Sequence, residues 1–146
     1  MREILFKART TKKHNEKHAF DNVWVEGDLI RSGGKYYIHT TGNKVNVDGE
    51  LGKIIVMHEI DPTTLCQYTG LMDKNGRKIW ENDILCGHLD EEYPEDITYT
   101  KVFWNVSGFH TKENHSIDIE LFDEWYTEHF EVCGNIFDNS ELLEVE

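Results

Sequence analysis

Turn-forming residues interrupt this chain so often that no long amphipathic helix fits between them, and that spacing constrains the fold more than any other feature. Ser32-Gly33-Gly34, Asn46-Val47-Asp48-Gly49, Asp73-Lys74-Asn75-Gly76 and Ser107-Gly108 separate short runs of β-branched and aromatic residues. Helical periodicity is nearly absent, which is how an all-β, mainly antiparallel domain with hairpins reads. Paired glycines supply the positive φ of a tight turn, so Ser32-Gly33-Gly34 predicts a hairpin between Asp28-Leu29-Ile30 and Lys35 to His39. Asp73 can bond its own turn and Asn75-Gly76 tolerates left-handed geometry, which predicts a second hairpin between Leu71 and Ile79.

Further strands are expected at Ile4 to Ala8, at Lys53 to Met57 as a buried strand, and at Leu65 to Tyr68. Others follow at Asp83 to Leu85, Ile97 to Trp104, Ile117 to Phe122 and Phe130 to Ile136. Thr98, Thr100, Val102 and Trp104 alternate with Tyr99, Lys101 and Phe103, and bulk on both faces suits a central strand. Helix candidates are confined to 10–20 and 122–129, with a single helical turn after Asn139-Ser140. Val25-Glu26-Gly27-Asp28-Leu29-Ile30 and Trp80-Glu81-Asn82-Asp83-Ile84-Leu85 share one pattern, in which Gly27 and Asn82 suit a left-handed turn into a strand.

The 146 residues have the length of one domain, read as spanning 1–146. Apolar residues make up 38%, a modest share that four tryptophans help to offset, because large aromatics supply much burial. Cys66, Cys86 and Cys133 are odd in number and widely spaced, which argues against a disulfide framework and for a reducing compartment. The start of the chain carries no long apolar stretch, so a cytoplasmic location without membrane insertion is expected. On that ground, the acceptor patterns at Asn105 and Asn114 are read as unglycosylated.

Fifteen basic against twenty-eight acidic residues give a net charge of −13, which repels phosphate backbones and makes direct nucleic-acid binding unfavourable. The charge is uneven. Arg2, Lys7, Arg9, Lys12, Lys13 and Lys17 face only Glu3 and Glu16, whereas Asp90 to Asp96 is densely acidic. The acidic run reads first as a solvated loop and second as a surface for a basic protein.

Gln67-Tyr68-Thr69-Gly70-Leu71, the Asp73-Lys74-Asn75-Gly76 turn and Ile79-Trp80-Glu81-Asn82-Asp83-Ile84, in that order, make up a central pattern. That pattern resembles the signature of the YopX family of phage and prophage proteins. Met1 to Ile4 with Phe6-Lys7-Ala8 resembles the opening, and Val132 to Asn139, with Gly134-Asn135 at its centre, resembles the closing segment. Arg9 departs from the family's usual tryptophan, and Asn82 from its usual glycine. The resemblance implies an all-β domain of several coiled sheets carried by mobile elements in a bacterial host cell. It implies no reaction.

Motifs with chemistry are sparse, and no catalytic, cofactor-binding or metal-ligating residue is assigned. Cys86-Gly87-His88, with His110, His115 and Cys133, is the best metal grouping, but it lacks the paired short spacings of a zinc site. His14 and His18 read as exposed side chains. Ser32-Gly33-Gly34 lacks the lysine of a phosphate loop, and Ser107 lacks a nucleophile elbow. Glu26/Asp28 and Glu81/Asp83 read as turn acids, and Cys133 as an inert thiol. Trp24, Tyr36, Tyr37, Trp80, Trp104 and Trp125 exceed a minimal core, so exposed members can form a contact patch. The expectation is a noncatalytic domain acting through protein contacts, including contacts with itself as a homo-oligomer. The alternatives are an acidic mimic that blocks a basic host protein and a ligand- or metal-binding enzyme with a pocket around Glu81 to His88.

Overall fold

A computed structural model describes residues 3–11, 22–45, 48–114 and 116–144. The expected helix at 10–20, the His14/His18 pair, the basic residues Arg2, Lys12, Lys13 and Lys17, and His115 lie wholly or largely outside the described residues. The protein is all-β, built of antiparallel strands, with one short α-helix and two 3-10 turns among the described residues. No helix in that set is long and apolar enough to cross a membrane. Contacts group the chain into two compact units that meet in sequence between Gln67 and Tyr68.

The first unit contains β1 (Phe6–Arg9), β2 (Trp24–Ser32), β3 (Lys35–Val45), β4 (Leu51–Glu59) and the start of β5 (Cys66–Met72). The strands run in the order β4-β3-β2-β1-β5. Ser32 pairs with Lys35 around Gly33 (φ +59°) and Gly34 (φ +75°), the predicted two-residue hairpin. The sheet curls, because Thr10 after β1 bridges to Ile60 after β4. Thr11 N donates to Glu59 O at 3.0 Å and Asp61 N to Arg9 O at 2.8 Å across that bridge. The curl encloses Ala8, Ile38 and Ile60, with Phe6, Val25, Leu29, Tyr36 and Leu65 against them.

Two expectations fail in this unit. Gly27 is not a left-handed turn residue but lies inside the continuous strand β2, opposite Phe6. A Cβ there would collide with the backbone oxygen of His39, so glycine is needed for close approach rather than for a positive φ. The Lys53 to Met57 run is a strand but not a buried one: Ile55 is 71% and Met57 48% exposed. The reason is position: β4 ends the strand order, and among the described residues only Thr11, at Glu59, pairs with its outer side.

In the second unit, β5 pairs with β6 (Lys78–Trp80), and a five-stranded sheet has the order β10-β9-β8-β7-β11. Its strands are β7 (Asp83–Gly87), β8 (Thr98–Asn105), β9 (Gly108–Glu113), β10 (Glu120–Leu121) and β11 (Phe130–Asn135). β8 is central, as its two bulky faces suggest. Helix α1 (Glu124–His129) starts where Asp123 accepts a hydrogen bond from Trp125 N at 3.0 Å. The core is Ile79, Leu85, Val102, Phe122, Tyr126 and Phe130, with Leu71, Phe109 and Val132 packed on it. Ile117 to Phe122 was expected as a full strand, but only Glu120 and Leu121 pair, and Ile117 is 91% exposed. Alternation there marks no buried face, since Ile117, Ile119 and Leu121 all stay exposed.

Candidate functional site

The family-like residues converge on turns whose side chains satisfy backbone groups. Asp73, 5% exposed, is the centre of the first. Its Oδ1 accepts from Asn75 N and Arg77 N, and its Oδ2 from Val132 N, each at 2.9 Å. One carboxylate thus closes the β5–β6 turn and fastens it to β11. Asn75 Nδ2 adds a 2.7 Å bond to Glu131 Oε2, and Gly76 (φ +80°) completes the turn. Upstream, Thr69 Oγ1 donates to Ile79 O at 2.7 Å and accepts from Leu71 N at 3.2 Å, across an irregularity that contains Gly70 (φ +89°).

The second turn follows the same logic. Asn82 has φ +70°, as its left-handed expectation requires, and Trp80 N donates to Asp83 Oδ2 at 2.8 Å. Asn82 N donates to Val102 O, and Asn82 O accepts from Ile136 N, so this turn holds the neighbouring strand and the end of β11. The Tyr68 and Trp80 rings pack at a tilt of 48° with centroids 5.5 Å apart, Ile84 is fully enclosed, Glu81 is half-buried, and Gln67 pairs with Phe6 on β1. At the closing segment, Asn135 Oδ1 accepts from Phe137 N and Asp138 N, both at 2.9 Å. Gly134 leaves the space that the Asn139 side chain fills, and Asn139 Oδ1 accepts from Asn135 N. These residues hold a scaffold together, and their polar atoms are directed at backbone.

Other groups were weighed for chemistry. Cys86 and Cys133 come together as a hydrogen-bonded thiol pair between β7 and β11, and burial pushes both thiols up. Cys133, half-buried, also donates to Ile84 O at 3.3 Å, which keeps it a poor nucleophile. His110 lies elsewhere, its Nδ1 2.9 Å from Gly108 O. Its Nε2 reaches Ser107 Oγ only at 3.5 Å, on an exposed hairpin tip. Among the described residues no three His, Cys, Asp or Glu side chains are placed to hold a metal.

Sequence reasoning missed two features. One is a buried phenol: Tyr126 donates to Glu120 Oε2 at 3.0 Å and accepts from Thr111 Oγ1 at 2.9 Å. Burial, with the hydrogen bond to Glu120, pushes the Tyr126 hydroxyl up to about 12. It lines a small polar cleft of about 150 Å³ with Glu113, Asp118 and Glu120. The other is a wider cleft lined by Lys101 and Lys112, whose partnership depends on β8–β9 register and is invisible in sequence. The acidic segment Asp90 to Asp96 is an exposed loop organised by its own turns, with Glu92 N on Asp90 Oδ1.

The fold and these anchors define an all-β scaffold of linked turns. The chain belongs to the YopX family: the family model described as YopX protein matches residues 9–144. It is also similar to the crystal structure of protein EF1440 from Enterococcus faecalis, at 20% identity over 97% of this chain and 98% of that one, with a TM-score of 0.59. That likeness is one of fold. No curated protein matches the chain.

Proposed function

We propose that the chain is a noncatalytic protein-interaction domain that associates with copies of itself through β4. The observation that carries this reading is the exposed apolar edge strand: Leu51, Ile54, Ile55 and Met57 are 74%, 38%, 71% and 48% exposed. Register says which backbone groups face outward. Ile60 N donates to Tyr36 O, so by antiparallel alternation the even-numbered residues of β4 point towards β3 and Lys53, Ile55 and Met57 point away from it. A long edge of this kind is a template for another strand unless charge or a cover blocks it, and Lys53 is the single charge between Leu51 and Met57. The free thiols support a reducing, cytoplasmic setting, and the family resemblance supports a phage or prophage gene.

Light scattering during size exclusion tests the reading. The native chain is expected to elute as a dimer or larger, and Ile55→Lys as a monomer with an unchanged thermal midpoint. A native chain that stays monomeric at every concentration sinks the proposal.

A further inference from the structure

Lys101 on β8 and Lys112 on β9 are direct cross-strand partners. Like charges directly opposite one another are destabilising, and a sheet in a chain of net charge −13 had ample acid to place there instead. Neither ammonium has a carboxylate partner among the described residues, and Lys101 rests 5.6 Å from the Phe103 ring centroid. Both lysines line one cleft of about 420 Å³, within the range of small-molecule sites. Asn114 and Ser116 add side-chain donors, while Ile117 and Leu143 give an apolar wall. Among the described residues of the lining Glu113 is the one acid, against two lysines.

We propose that this cleft binds a small phosphate monoester whose organic part lies on the Ile117–Leu143 wall. A phosphate monoester dianion matches two ammoniums, since it carries nearly two charges at neutral pH and three acceptor oxygens. The apolar wall adds affinity that inorganic phosphate lacks. The like-charge pair then makes sense as a destabilising arrangement kept for a ligand, a common trade in binding sites.

Calorimetric titration with phenyl phosphate, inorganic phosphate and benzoate tests this on the full chain. Phenyl phosphate is expected to saturate at one site, more tightly than the other two, and to weaken as salt is added. Lys101→Ala and Lys112→Ala are each expected to weaken it about tenfold, the scale of one charge-assisted hydrogen bond. Lys112→Glu should abolish binding while its melting temperature stays equal to or above that of the native chain, which separates a lost site from a lost fold. No saturable binding at millimolar phenyl phosphate, binding unchanged in the alanine variants, or benzoate binding equally well would each overturn the proposal.

Discussion

Asp73 shows at the scale of one residue what the family-like pattern is for. A buried carboxylate holding three backbone N–H groups cannot be truncated without leaving them unpaired, so Asp73→Ala is expected to cost about 2–3 kcal/mol of stability in urea titration. A loss below about 1 kcal/mol would mean that water replaces those bonds, at odds with the burial described. Tyr126 makes a pH prediction. Its folded value of about 12 lies above the ordinary tyrosine value near 10. The unfolded chain therefore releases its proton first, and the contribution is intact below about pH 10 and lost as pH rises towards 12. Tyr126→Phe should show a shallower alkaline fall in melting temperature over that window, and an identical profile would refute the assignment. Asp73 was legible from sequence because the Asp-Lys-Asn-Gly turn is local. Its bond to Val132 was not, because 59 residues separate the partners.

Elements were legible where turn chemistry is local, and misread where tertiary neighbours decide. The Gly33-Gly34 hairpin and the Asn82 turn follow from residues that tolerate positive φ. Strand β9 was missed because Phe109-His110-Thr111-Lys112 mixes polar and apolar residues with one face on the core and the other on a cleft. Gly27 was misread because a turn glycine and a close-contact glycine look alike in sequence. Gly27→Ala is expected to lower stability by about 1–3 kcal/mol by forcing β2 away from the His39 carbonyl. Chemical denaturation checks it, and a neutral result would mean that the strands separate without cost.

At the scale of the whole molecule, the family-like turn anchors satisfy backbone groups of the sheets, while the two proposed contact surfaces, β4 and the lysine cleft, lie apart from those anchors. The composition shows an acidic chain, but not which strand would end a sheet. A run such as Ile54-Ile55-Val56-Met57 reads equally as core or as interface, and only pairing order separates the two. The most direct measurement of the central claim is amide hydrogen exchange along β4 as a function of protein concentration. Self-association through this edge predicts that the Lys53, Ile55 and Met57 amides, which point away from β3, gain protection as concentration rises, while their even-numbered neighbours are protected throughout. Fast, concentration-independent exchange at those three amides would contradict it.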